Sequence, residues 1–64
     1  MYNTVSEKLR FAREEKKLSL DECADQANIQ RKYLQAMEDS KFDMLPGELY
    51  VRSWIRKYGE LLGL

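Results

Sequence analysis

The chain has 64 residues, eleven basic and eleven acidic side chains, no histidine and one cysteine. A chain of this length forms one small domain that buries only about 60% of its unfolded surface, so neither a second domain nor an internal repeat fits. The zero net charge provides no overall positive field toward nucleic acid or anionic lipid, although a local basic patch is compatible with it.

The composition also argues against a catalytic site and against a metal site. Histidine is the commonest general base and the commonest metal ligand, and Cys23 alone forms neither an internal disulfide nor a CxxC site. We therefore expect no enzyme activity, no metal, no cofactor and no small-molecule substrate. A single cysteine without a disulfide framework is typical of a reducing cytoplasm.

Two capping boxes predict where the first two helices begin. The Thr4 hydroxyl can accept a hydrogen bond from the backbone N–H of Glu7, whose carboxylate can reach back to the Thr4 amide. Ser19 and Glu22 repeat this pattern, so helix 2 is predicted to begin at about Leu20.

Apolar spacing predicts the buried face of helix 1. Val5, Leu9 and Ala12 recur at i, i+4 and i+7, which indicates one buried stripe. Phe11 lies off this stripe, and the pattern does not decide whether it is buried or exposed.

A helix-turn-helix is predicted at about residues 20–38. Cys23 and its small neighbours give helix 2 a face that another helix can approach closely, and Asn28 can adopt the left-handed conformation that ends a helix. Helix 3 is predicted from about Gln30 to Glu38, with Leu34 and Met37 inward. Two short helices joined by a turn of about three residues form this motif.

The last helix, predicted at about residues 47–62, carries the most apolar surface. Pro46 favours a helix start at about Gly47. At about 100° per residue the apolar side chains fall on one arc. Its aliphatic edge suits a core and consists of Val51, Ile55 and Leu62, whereas its mainly aromatic edge consists of Tyr50, Trp54 and Leu61, with Tyr58 on the same arc. Either the whole arc is core, or the aromatic edge meets a partner.

These elements predict an all-α fold, a small bundle of four to five helices over residues 1–64 that contains a helix-turn-helix. No alternating β-branched pattern indicates a strand. No stretch approaches the ~18 apolar residues of a membrane span, and the N-terminus lacks a signal peptide. The apolar C-terminus suggests a segment of a longer protein.

Several motifs together resemble the N-terminal cytoplasmic domain of the RodZ family of bacterial cell-shape proteins. The residues that carry the resemblance are Leu9-Arg10, Ala12-Arg13-Glu14, Leu18-Ser19-Leu20, Ile29, Tyr33-Leu34, Ala36, Glu38, Phe42, Leu45-Pro46, Tyr50, Arg52, Ile55-Arg56, Tyr58 and Leu61-Leu62-Gly63-Leu64. The first half is shared with many helix-turn-helix DNA-binding proteins. The segment from Phe42 to Tyr58 is more specific.

The resemblance implies a λ-repressor-like domain that binds the actin-like filament protein MreB to maintain cell shape. It implies a cytoplasmic location, at the cytoplasmic face of the inner membrane in a full-length protein. The membrane anchor would follow further along the chain, and this segment would not contact the membrane directly. The central pair of contact residues in that family corresponds to Tyr50 and Trp54. The full predicted partner surface is Tyr50, Trp54, Tyr58 and Leu61, with Arg52, Arg56 and Lys57 as a basic rim.

Three residues depart from the family pattern. Trp54 stands where Phe or Tyr is more usual, Ser53 where Gly is common, and Lys17 where Gly often ends the first helix. If Lys17 keeps the left-handed conformation, it costs about 1 kcal/mol. None of these changes removes the motif.

The alternative function is DNA reading by helix 3 of a transcriptional regulator. The predicted base-facing and phosphate-facing residues are Gln30, Arg31, Lys32 and Gln35. Against this interpretation, carboxylates open helix 2 and close helix 3, where they would repel the DNA backbone. A third hypothesis is self-association through the aromatic edge of the last helix, and the same residues predict it.

Overall fold

The computed structural model describes residues 4–64, which form four α-helices and one short 3₁₀ helix without a strand. The elements are α1 (Val5–Glu15), α2 (Leu20–Ala27), α3 (Arg31–Glu38), the 3₁₀ helix (Phe42–Met44) and α4 (Glu48–Leu61). The predicted all-α fold is confirmed. The helix-turn-helix consists of α2 and α3, and α4 packs on α2.

The caps explain why the first two helices begin where they do. Ser19 and Glu22 form the complete predicted box, with the Ser19 hydroxyl accepting from the Glu22 N–H at 3.0 Å and the Glu22 carboxylate accepting from the Ser19 N–H at 2.9 Å. At α1 the box is half formed. The Thr4 hydroxyl accepts from the Glu7 N–H at 3.1 Å, but the Glu7 carboxylate accepts from that hydroxyl and not from the Thr4 amide.

A left-handed residue follows each of the four α-helices. Asn28 (φ 57°) follows α2 and Gly63 (φ 82°) follows α4, both as predicted. Lys17 (φ 56°) follows α1, and its left-handed conformation is one that the sequence left open. Ser40 (φ 60°), which follows α3, was not predicted. At α4, Gly47 is the N-cap, so Pro46 marks the helix start as expected.

The core lies where α3 and α4 pack against the small-residue face of α2 and where α1 packs on α3. Cys23 and Ala27 on α2 are buried, which lets the backbone of α4 approach. Leu34 and Met37 of α3 are completely buried, as predicted, and Leu62 at the end of α4 is 3% exposed. The other buried apolar residues are Leu9, Leu20, Ile29, Ala36, Leu45 and Tyr58.

The predicted buried stripe of α1 is partly wrong. Val5 is 46% exposed, and the buried residue beside it is Ser6, whose hydroxyl donates to the Met37 carbonyl oxygen at 2.5 Å. The helix is rotated so that Ser6, Leu9 and Arg13 face α3, because Arg13 pairs with a buried carboxylate there. Phe11, whose burial the pattern left open, is 40% exposed.

Among residues 4–64, no helix is both long enough and apolar enough to cross a membrane.

Candidate functional site

Three aromatic rings from two helices form a continuous surface feature, which we call the aromatic ladder: Tyr50, Trp54 and Tyr33. The ring centroids of Tyr50 and Trp54, one turn apart on α4, are 4.9 Å apart and tilted by 46°. Tyr33 of α3 lies on the other side of Trp54, with centroids 5.1 Å apart and a tilt of 38°. These spacings are in the range of favourable aromatic pairs.

The rings of the aromatic ladder differ in exposure. Tyr50 is 47% exposed, whereas Trp54 and Tyr33 are half-buried. The expectation that Tyr50 lies at the surface is confirmed, whereas Trp54 is partly covered because Tyr33 packs against it. Helical projection of α4 could not find Tyr33, since the contact joins residues on different helices.

Tyr58 does not lie on this surface, which corrects its placement among the predicted contact residues. Its side chain is completely buried, and its hydroxyl donates to Glu38 Oε2 at 2.5 Å. It occupies the middle of the apolar arc of α4, the part that faces the core. Leu61, the other predicted apolar contact, is half-buried and packs against the core.

Tyr58 belongs to a buried polar network, which consists of Arg13, Glu38 and Tyr58. The Arg13 guanidinium donates from Nε to Glu38 Oε2 at 2.7 Å and from Nη2 to Oε1 at 3.0 Å. The Glu38 side chain is only 1% exposed, and the network satisfies both of its oxygens. A buried carboxylate without such partners would be very costly, so this network fixes how three helices meet.

The network raises the pKa values of Arg13 and Tyr58. The hydrogen bond from Arg13 to Glu38 raises the pKa of the guanidinium. Burial, followed by the hydrogen bond to Glu38, raises the pKa of Tyr58. Both groups therefore keep their protons throughout the physiological range.

The buried position of Glu38 corrects one argument against DNA binding. The sequence suggests that carboxylates closing helix 3 would repel a phosphate backbone. Glu38 is instead neutralised inside the protein by Arg13, and the neighbouring Asp39 pairs with Arg10 at 2.9 Å.

The predicted base-reading residues are exposed, but three of the four have partners within the chain. Arg31 Nε is 3.5 Å from Asp21 Oδ1, Gln35 Nε2 donates to Asp39 Oδ2 at 3.1 Å, and Lys32 Nζ lies 5.1 Å from the centroid of the Tyr33 ring. Gln30 is the N-cap of α3 and makes no side-chain cap hydrogen bond. Of these contacts, only the exposed Arg31–Asp21 pair joins α3 to another helix, and the other two lie within α3 and its C-cap.

The start of α2 is also unfavourable for a phosphate. The N-terminal amides of a helix attract anions. Here the Glu22 carboxylate completes the cap, and hydrogen bonds from the Ser19 backbone and side chain hold its pKa below the usual value. Asp21 adds a second negative charge in the first turn of this helix.

The predicted basic rim divides between different sides of α4. Arg56 lines an apolar groove of about 350 Å³ between α1 and α4, and Arg52 lines another beside the 3₁₀ helix. Lys57 is one turn from Trp54, so of the three it is the residue on the side of the aromatic ladder. Lys32, predicted only as a DNA contact, is the second cation beside these rings.

No group of three or more Cys, Asp and Glu side chains in residues 4–64 is arranged to hold a metal ion. The one thiol, Cys23, is completely buried, and burial raises its pKa.

Residues 8–64 match a protein family described as a helix-turn-helix domain. The cytoskeleton protein RodZ of Streptococcus pneumoniae (strain ATCC BAA-255 / R6) is 47% identical over 55 residues, which are 86% of this chain and 20% of that protein. The uncharacterized membrane protein YmfM of Bacillus subtilis (strain 168) is 43% identical over 47 residues, which are 73% of this chain and 16% of that protein.

The chain thus spans a fifth or less of the length of these two relatives. No solved structure matches it. With its four helices, its α2–α3 motif and these similarities, the chain belongs to this helix-turn-helix family and is a helix-turn-helix domain of the RodZ type.

Proposed function

We propose that this domain is a protein-binding adaptor that attaches a cytoskeletal filament of the actin-like MreB type through the exposed part of α4. The observation that carries the proposal is the pair of touching rings, Tyr50 and Trp54, on the side of α4 that the core leaves partly uncovered. A relative that shares 47% of the aligned residues is named a cytoskeleton protein.

The physical chemistry of this pair suits a protein interface. Tyr and Trp combine a large apolar area with a polar tip, so they tolerate water when free and gain from burial when bound. Both are enriched among the residues that dominate binding energy. Their mutual contact restricts both rings before binding, which reduces the entropy lost on association.

We further propose that the domain works at the cytoplasmic face of the inner membrane as part of a longer protein. One relative is named a membrane protein, and both relatives are at least five times longer than the matched segment. The role is one of binding, without catalysis.

The test is co-sedimentation with polymerised MreB from the same organism, comparing the unmodified chain with a Tyr50→Ala, Trp54→Ala double variant. Each truncation is expected to cost on the order of 2 kcal/mol or more. A loss of 2 kcal/mol is roughly a thirtyfold weaker affinity. Circular dichroism checks that the variant remains helical.

Leu49→Ala provides the matched control, because Leu49 is 89% exposed on the same helix and is separated from the Tyr50 ring by about 100° of rotation. It should bind as the unmodified chain does. Trp54 is the one tryptophan, so its fluorescence should also change when a partner covers it.

Absence of binding by the unmodified chain would refute the proposed partner. Sedimentation velocity of the domain alone distinguishes self-association, since a homodimer through the same rings forms without a filament.

A further inference from the structure

We infer that the partner surface continues from α4 onto α3, where Tyr33 positions Trp54 and Lys32 supplies a positive charge, and that the bound partner presents an acidic protein surface there. The inference rests on the proposed function and extends it to residues that a helix-turn-helix protein would ordinarily reserve for DNA.

The ring geometry connects α3 to the proposed contact pair on α4. Trp54 lies between Tyr50 and Tyr33, at 4.9 and 5.1 Å from their centroids. A partner that covers Trp54 therefore also meets the edge of Tyr33. Because Tyr33 restricts the indole from the α3 side, it acts as a positioning residue for the proposed contact pair.

Two lysines flank the aromatic ladder. Lys32 Nζ lies 5.1 Å from the Tyr33 centroid at one end, and Lys57 is one turn beyond Trp54 on α4. No acidic residue occupies the positions three or four residues from Tyr50 or Trp54 along the described chain. An apolar centre flanked by two lysines is complementary to carboxylates that surround an apolar pocket.

The packing of the rings distinguishes a protein partner from a nucleic acid. Single-stranded nucleic acid needs free ring faces on which bases can stack. Here the rings are tilted by 38° and 46° and pack against one another, so Trp54 has a neighbour on each side. This packing of the rings favours a protein surface over stacked bases.

The experiment measures binding of the unmodified domain and its variants to polymerised MreB at low and high salt. Lys32→Glu is expected to weaken binding at low salt by about tenfold and to flatten its salt dependence. Lys8→Glu makes the same charge change on α1, beside the groove between α1 and α4, and should leave the affinity unchanged.

Two variants separate positioning by Tyr33 from a general effect on folding. Tyr33→Ala should weaken filament binding and alter the fluorescence of Trp54, whereas Tyr33→Phe keeps the ring and should restore both. If binding instead depends on the Tyr33 hydroxyl, Tyr33→Phe will bind the filament as weakly as Tyr33→Ala. That result would overturn the positioning role.

The outcomes distinguish this inference from the proposed function. Suppose that the unmodified chain binds MreB and the Tyr50→Ala, Trp54→Ala variant does not. If Lys32→Glu then binds as tightly as Lys8→Glu, the extension onto α3 is wrong and the adaptor function stands. If the unmodified chain does not bind, both fail. A third outcome is that the domain binds a fluorescent single-stranded or duplex oligonucleotide, that this binding depends on Lys32, and that the filament is not bound. This result would assign α3 to nucleic acid and overturn the inference.

Discussion

Replacing Tyr58 by Phe tests the buried network of Arg13, Glu38 and Tyr58 with the smallest possible change. The substitution removes one hydroxyl, which donates to Glu38 Oε2 at 2.5 Å, and keeps the completely buried ring. Hydrogen bonds to charged groups contribute about 1.5–3 kcal/mol. Because Arg13 still donates to both oxygens of Glu38, we expect a loss near the lower end, about 2 kcal/mol.

The assay is thermal and urea unfolding at neutral pH followed by circular dichroism. In a domain of this size each kcal/mol shifts the melting temperature by about 4–8 °C, so the midpoint should fall by roughly 10 °C. The control is Tyr50→Phe, which removes a hydroxyl from an exposed tyrosine of the same helix and should stay within ~0.5 kcal/mol of the unmodified chain. If Tyr58→Phe is equally neutral, the hydroxyl does not stabilise the buried carboxylate and the reasoning fails.

Three further predictions concern single positions. Lys17 has φ 56°, so Lys17→Gly should raise the free energy of unfolding by about 1 kcal/mol in urea titrations. Lys16→Gly, at the right-handed C-cap, should give no such gain. Burial raises the pKa of the Cys23 thiol and shields it from reagents. A thiol reagent such as dithionitrobenzoate should therefore label the protein in denaturant and hardly at all when it is folded. Equal labelling rates would contradict the buried position. The pKa of Glu22 is lowered from 4.5 by Ser19, so its charged form stabilises the fold above that value, and the contribution disappears as the pH falls through the lower folded pKa. Glu22→Gln should therefore show a smaller loss of stability between pH 7 and acid, and an unchanged acid dependence would refute this assignment.

Local signals predicted most of the secondary structure. Ser19 and Glu22 specify the start of α2 because both hydrogen bonds of the capping box lie within four residues. Pro46 and Gly47 mark the start of α4, and Asn28 ends α2 in the left-handed conformation. These features depend on near neighbours in the chain, so a single sequence contains the information.

Contacts between distant residues account for what the sequence did not predict. The burial of the charged Glu38 depends on Arg13, which lies 25 residues earlier in the chain. The same pairing turns α1 so that Ser6 is buried and Val5 is exposed. Apolar periodicity reports which residues avoid water and does not register a polar side chain buried with its partner.

The residues of the candidate site also fall into those that local sequence signals indicate and those that depend on contacts between helices. The α4 pattern placed Tyr50 and Trp54 together on one edge from their spacing, which is a local property, and the family resemblance singled them out as contact residues. It included Tyr58 on the surface because a projection does not show which part of an apolar arc faces the core. It also missed Tyr33, which reaches Trp54 only when α3 and α4 come together.

The buried network has a consequence for how the domain folds. It joins α1, α3 and α4 through contacts that span 25 and 20 residues of the chain. A form in which α4 has detached leaves Glu38 without the Tyr58 hydroxyl and opens the ion pair to water, so partial unfolding removes much of what holds α1 as well. We therefore expect one cooperative transition, with no intermediate that lacks only α4. A partner that binds α4 would then stabilise the domain as a unit and slow amide exchange in α1 as strongly as in the helix it touches.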